Sequence, residues 1–336
     1  MATVAHAFSP KEWKVGIVSD ATNAGSTGIE TTMYQLDVDS IGFPSLNVMQ
    51  KLDVRSGVSR TLKDEDFFQD NILRAVEISL SGTLHNDAGH KLLAQNICND
   101  VTTDIAVATD FAPASQKYGD AVLNAASSLT VVMQPSDTTN QLGLEFFGCV
   151  VTAFSITAEG NSDGGQYKWS ATLQTGKKPD LASTASPTIS AYLNTDIPLL
   201  SSSSGHKVFN TDVILSSFTA SIESPAVFTG VASYGYQVVS RGAEISVTAD
   251  AQVKYDGNTK GFVNSFDVQT GTTLEAQISS GNMLVITNNN AFGVDIQNGV
   301  FTNVALSEGD LMMLDCSIKS VNDGTDDLIT FDVSAE

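Results

Sequence analysis

The sequence predicts a mainly β protein, and three observations carry that expectation. Thr, Val, Ser, Ile and Phe cluster in short runs separated by Gly, Asn, Asp and Ser, so strand formers alternate with turn formers. Two segments far apart in the chain alternate apolar and polar residues with a period of two. Residues 143–178 read as two long β-rich runs joined by a Gly/Asn/Asp/Ser turn.

The elements follow in order. Residues 74–83, RAVEISLSGT, set Val76, Ile78 and Leu80 on one side and Glu77, Ser79, Ser81 and Thr83 on the other, as a half-buried strand requires. Asp87 then caps a short helix whose Leu92, Leu93 and Ile97 share one apolar face. The hairpin runs through 146–159, turns over 160–165 and returns through 166–175. Residues 179–205 are rich in Ser, Ala, Thr and Pro, with four serines before Gly205, and read as a linker.

Beyond the linker, residues 241–250, RGAEISVTAD, repeat the first alternating strand at an offset of 167 residues, with four of the first eight positions identical. Ala243, Ile245 and Val247 form its apolar set; Glu244, Ser246, Thr248 and Asp250 form its polar set. The segment LMMLDC at 311–316 echoes LEFFGC at 144–149 at the same offset, which is about half the chain. A tandem duplication is expected from this self-similarity. A first domain would cover 1–178, the linker 179–205 and a second, diverged domain 206–336. In the second copy Gly257 and Gly261 weaken the corresponding helix. Residues 51–71 stand apart as a long segment of mixed charge between β-rich runs, a length that in a compact domain usually has a job.

Composition narrows the function classes. The hydrophobic fraction of 42% is enough to fill cores, and no apolar run is long enough to span a bilayer. The N-terminal residues lack an apolar stretch behind a basic start, so no cleaved secretory signal is expected. Cys98, Cys149 and Cys316 are too few and too scattered for a disulfide framework or a zinc site, which suits folding in a reducing cytoplasm. A net charge of −21 opposes any surface that grips nucleic acid by neutralising phosphates. Such acidity serves solubility, or it belongs to a surface that must repel a polyanion.

The motifs with possible chemistry are few. Gly160-Asn-Ser-Asp-Gly164 matches the nucleophile pattern G-x-S-x-G, but that chemistry needs a strand–turn–helix elbow, and here the pattern lies in a hairpin turn. His6, His85, His90 and His206 are scattered, and His85 and His90 lack the spacing of a helical metal pair, so surface roles are expected. The acidic runs at 64–66 and 323–327 do not follow an EF-hand spacing. Asp37 and Asp39 would share one strand face, as paired carboxylates do in glycoside hydrolysis; a plain polar surface looks the same. A phosphate loop is missing, since Ala24-Gly-Ser-Thr-Gly28 is not followed by Gly-Lys. Nothing adds up to an active site, no cofactor or metal is expected, and a non-enzymatic role follows.

The order of these elements resembles one family. An alternating strand passes through Ser81-Gly-Thr-Leu84 to Asp87 and a short Leu-Leu-Ala helix. Later Gly148-Cys149 leads into VVTAFSIT at 150–157, a glycine turn and a strand ending near Gly176-Lys177. The chain resembles the tail tube proteins of long-tailed bacteriophages, best over 74–178 and, as a diverged copy, over 207–333. The resemblance implies two tandem β-sandwich tube domains, each with a short flanking helix, whose inner strands form a β-barrel on ring assembly. It implies homotrimeric rings of pseudo-sixfold symmetry stacked into a tube, made in host cytoplasm and ending in the virion tail. The partners implied are other copies, a tape-measure protein and a tail terminator, with DNA passing through without specific binding. Acids on lumen-facing strands would repel that DNA: Glu77, Glu244, Asp250, Asp37 and Asp39 are the candidates, with an outer solvated surface as the alternative for each. The charged segment supplies the inter-ring loop candidates Lys51, Arg55, Arg60, Lys63, Asp64, Glu65 and Asp66. Rival readings are a capsid decoration or distal-tail component, and a carbohydrate-active β protein using Asp37 and Asp39.

Overall fold

The computed structural model describes residues 9–20, 32–43, 50–52, 67–69, 76–100, 105, 108–113, 128–137, 139, 141–177, 179–183, 186–192, 197–200, 205–229, 238–241, 244–266, 281–287, 292–307, 311–323 and 326–333. The protein is mainly β. Strands β1 (Trp13–Ser19), β2 (Thr32–Leu36) and β3 (Ser40–Gly42) precede a small hairpin, β4 (Gln50–Leu52) and β5 (Phe67–Gln69). Then come β6 (Val76–Thr83), helix α1 (Ala88–Cys98), β7 (Asp110–Phe111), β8 (Leu129–Pro135), β9 (Gly143–Glu159), β10 (Lys168–Thr175), β11 (Asp180–Ser183) and β12 (Thr188–Ser190). The remainder holds β13 (Lys207–Val208), β14 (Thr211–Asp212), β15 (Leu215–Glu223), a second hairpin β16 (Ala226–Thr229) and β17 (Val238–Arg241), and β18 (Ser246–Lys254). It ends with β19 (Leu284–Ile286), β20 (Gly293–Ile296), β21 (Gly299–Ser307), β22 (Met313–Ser320) and β23 (Thr330–Asp332).

Eight strands form one continuous antiparallel run in the order β3-β6-β10-β9-β15-β18-β22-β21. Taken as two blocks of four, each block has the same arrangement: first strand, second, fourth, third. The pairing of β9 with β15, from Ser217 opposite Glu159 to Glu223 opposite Ala153, joins the blocks. The 17-residue β9 also belongs to a second face of the sheet, where its N-terminal part pairs with β8 and β11. The strand turns that corner at Gly148, whose φ of +59° suits a residue without a Cβ. A separate six-stranded sheet has the order β14-β13-β19-β20-β23-β7, so β7 from early in the chain closes onto β23 near its end.

Alternation does what the sequence promised in β6, where Val76, Ile78 and Leu80 are buried and Glu77 and Ser79 exposed. The hairpin β9–β10 also forms as expected, with Asp163–Gly165 as a 3₁₀ turn between its strands, so the G-x-S-x-G pattern is turn chemistry. One core cluster runs through both blocks. Phe154 of β9 meets Phe331 of β23 edge-on at 5.7 Å.

Five expectations change. Helix α1 forms with Asp87 as N-cap, its carboxylate accepting from the His90 amide at 3.0 Å, but the helix does not merely flank the sheet. Nine of its eleven residues are buried, Lys91 and Asn96 among them. Asn96 Oδ1 accepts from the Val151 amide at 2.8 Å, which pins the helix to β9. In the second block no α-helix forms among the described residues; a 3₁₀ segment, Lys260–Phe266, stands there, with open space around Gly257 and Gly261. The supposed linker at 179–205 carries β11 and β12, and Ser183 Oγ donates to the buried Glu145 of β9 at 3.2 Å. Its Ser and Thr content reflects short edge strands. The repeated strand begins later than the sequence match suggests: Arg241 ends β17, and β18 starts at Ser246. Finally, the cysteines do not share a register, because Cys149 lies in the first strand of hairpin β9–β10 and Cys316 in the second strand of hairpin β21–β22. Among the described residues no helix is long and apolar enough to cross a membrane.

Candidate functional site

One face of the eight-strand run is open and polar. Ser40, Ser81, Ser170, Ser155, Ser221 and Thr248 stand side by side across six strands, with Lys319 next in the row. Directly paired residues in a sheet point to the same side. Ser155 Oγ and Ser170 Oγ are 2.8 Å apart, a hydrogen bond between neighbouring strands. The adjacent row reads Thr83, Lys168, Thr157, Thr219, Asp250, Ser317 and Asn303. The next holds Glu159, Ser217, Gln252, Asp315 and Ala305. On the other side of the serine row lie Ser79, Thr172, Ala153, Glu223 and Ser246. Small hydroxyl and amide side chains dominate this face. Its charges are sparse: carboxylates at Glu77, Glu159, Glu223, Asp250 and Asp315 against ammonium groups at Lys168, Lys254 and Lys319.

Of the expected lumen acids, Glu77 and Asp250 lie on this face, both exposed. Glu77 Oε2 accepts from Gln174 Nε2 at 3.1 Å across the β6–β10 pair. Asp250 sits beside Asp315, whose Oδ1 accepts from Gln252 Nε2 at 2.8 Å. Glu244 is exposed but precedes β18, outside the paired rows. Asp37 and Asp39 are not on a strand; they fall in the link between β2 and β3. Asp37 Oδ2 is 2.8 Å from Nε2 of the buried His85, and its carbonyl accepts from Trp169 Nε1 at 3.2 Å. That link presses against Gly82, where an added Cβ would lie 1.9 Å from the Asp37 carbonyl oxygen. Asp39 lies 3.7 Å from Lys168 Nζ. The two acids therefore hold the link in place and do not face each other as a catalytic pair. Lys51 is in β4; Arg55, Arg60, Lys63, Asp64, Glu65 and Asp66 lie outside the described residues.

The histidines correct the surface expectation. His85, His90 and His206 are buried, and His90 Nδ1 is 2.7 Å from Asp87 Oδ1; His6 lies outside the described residues. Burial lowers the His206 imidazole below its ordinary range. The three cysteines are free and buried; burial pushes the Cys98 and Cys149 thiols far up, and Cys316 to about 12 with Asp315 adding to it. Such thiols are inert. Among the described residues no three His, Cys, Asp or Glu side chains are placed to hold a metal ion.

Sequence reasoning missed Glu159, Glu223, Asp315 and the three lysines. A readable signal existed in LSSFTASIE at 215–223, where Phe218, Ala220 and Ile222 are buried between the more exposed Ser217, Thr219, Ser221 and Glu223. It also missed Arg241, whose buried guanidinium donates to the carbonyls of Ser224 and Asn96, both at 2.7 Å. Burial lowers its pKa to about 10, which leaves it charged at neutral pH.

The two ends of the eight-strand run are open edges: β3 pairs only with β6, and β21 only with β22, among the described strands. The searches add no relative: no protein-family model matches the chain, and no characterised protein matches it in sequence.

Proposed function

We propose that the chain is a structural subunit of a phage tail tube, built of two tandem tube domains and without enzymatic activity. The observation that carries this reading is the pair of complementary open edges. Strand direction alternates without a break from β3 to β21, so β21 of one copy set against β3 of the next would again be antiparallel, as β9 is against β15. The repeated block order makes the junction between copies equivalent to the junction within one. Exposed edges are templates for further pairing, and closure into a ring removes them. Trimeric rings would then have pseudo-sixfold symmetry around a β-barrel, and stacked rings would form a tube in the virion tail after assembly in the host cytoplasm.

The polar face would line the channel. Hydroxyls and amides hold water, and the few carboxylates outnumber the lysines, so a DNA backbone finds little to bind. A tape-measure protein would fix the length during assembly, and a terminator would cap the end. Electron microscopy of the purified protein tests the reading: hollow rings or tubes of uniform bore are expected, and a persistently monomeric protein at high concentration contradicts it.

A further inference from the structure

The hairpins β4–β5 and β16–β17 leave the sheet from the same cross-strand row. Gly42, where β3 ends, is in register through Ser79, Thr172 and Ala153 with Glu223, where β15 ends. In chain order each hairpin therefore falls between the first and second strand of its block, and the first strand of each block ends at the same end of the sheet. Their chemistry is opposite. Residues 51–70 carry nine charged side chains, whereas residues 224–241 carry one, Arg241, which is buried against α1 and offers no charge to the surface. Val227 of the second hairpin is exposed.

The opposite end of the sheet differs between the blocks in the same sense. Below the first block it is charged, with Asp39, Glu159 and Asp163 exposed and Asp39 3.7 Å from Lys168 Nζ. Below the second block it carries exposed apolar side chains beside the exposed Lys254: Ile214, Leu306, Leu311 and Met312 are among the most exposed large hydrophobic residues, with Leu311 at 72%. They are neighbours, since the Lys254 amide donates to the Ile214 carbonyl, the Tyr255 amide to the Met312 carbonyl, and Leu306 pairs with Leu314.

We infer that the β16–β17 hairpin of one copy docks on this apolar end of a second copy, with like blocks in line along the strand direction. The inference rests on the tube reading and adds the stacking phase. In this phase the second hairpin meets Ile214, Leu306, Leu311 and Met312, while the first hairpin, whose segment 51–70 carries four Lys and Arg and five Asp and Glu, meets the charged end below the first block. Stacking with blocks alternating would set the second hairpin on carboxylates and leave the apolar side chains to the first, burying charges without partners. The contact is heterologous, top on bottom, and such contacts propagate as open filaments.

The test is cross-linking of assembled protein with a short bismaleimide. The native thiols are buried and give little background. V227C combined with L311C is expected to give a ladder of covalent multimers, and V227C combined with D163C none. Tubes seen by microscopy whose V227C/L311C form does not cross-link, or whose V227C/D163C form does, overturn the stacking phase and leave the tube reading standing. Absence of tubes from the unmodified protein overturns both. A second variant, L311D, changes a solvent-facing side chain and should leave the fold intact while lowering tube yield about tenfold; unchanged yield also counts against the docking.

Discussion

The hairpins β4–β5 and β16–β17 hold the same place in their blocks and are anchored by different means. Around the first, the link entering β3 is fixed by a buried polar network: Asp37 to His85, and the Trp169 indole to the carbonyls of Asp37 and Thr83. The second is fixed by one side chain of its own, Arg241, which reaches across to α1. The blocks share an order of strands while the residues that support each differ. This shows why sequence self-similarity was faint: pairing order is set by backbone and turn geometry, and the pins of each block are free to differ.

The difference can be broken one side at a time. The largest effect is expected from Trp169→Ala, which opens a cavity and leaves two carbonyls without their indole donor, at about 3–5 kcal/mol. Hydrogen exchange should show protection lost in β3, β6 and β10 and kept in β18 and β22; uniform loss would mean that the blocks are not separately supported. Arg241→Met should cost about 2–3 kcal/mol, because it strips buried acceptors on Ser224 and Asn96 of their partner. Protection should fall in β16–β17 and α1 and persist in β10.

A smaller effect concerns pH. Burial, with Asp332 next, pushes the Asp295 carboxyl up to about 6, against about 3.9 in an unfolded chain. Its favourable contribution is complete below about pH 4 and is lost as pH rises through about 6. Burial and nearby carboxylates also raise Asp332 and Asp327. Urea midpoints should therefore rise as pH falls from 8 to 5, and Asp295→Asn should remove a part of that slope of order 1 kcal/mol once solvent screening is allowed for. The smallest effect is expected from Glu77→Gln with Asp250→Asn, both exposed on the polar face: stability should change by less than about 0.5 kcal/mol. If these acids were needed for folding, thermal melts would show it.

Much of the first block was legible because period-two alternation is strong in β6 and the glycine turn marks the hairpin β9–β10. In the second block the phase of the repeated strand was legible, since Ser246, Thr248 and Asp250 share rows with Ser79, Ser81 and Thr83, but its start was not. The match at 241–250 spans the end of β17 and the start of β18, and Cys316 aligned by offset with a cysteine in a different strand. Asp37 was misplaced because its partner His85 is 48 residues away, a distance no local pattern reports. The Ser/Thr-rich segment at 179–205 hid β11 and β12 because short edge strands have little apolar content to display. The hydroxyl rows of the open face depend on register between strands, which alternation within one strand does not reveal.

The central claim is that the open edges of β3 and β21 are partners between copies. A reconstruction of the assembled particle by electron cryomicroscopy at a resolution that separates strands tests it directly. The account predicts an unbroken antiparallel sheet passing from β21 of each copy into β3 of the next, with the serine row facing the channel. A particle in which either edge stays open to solvent, or in which the serine row faces outward, would contradict it.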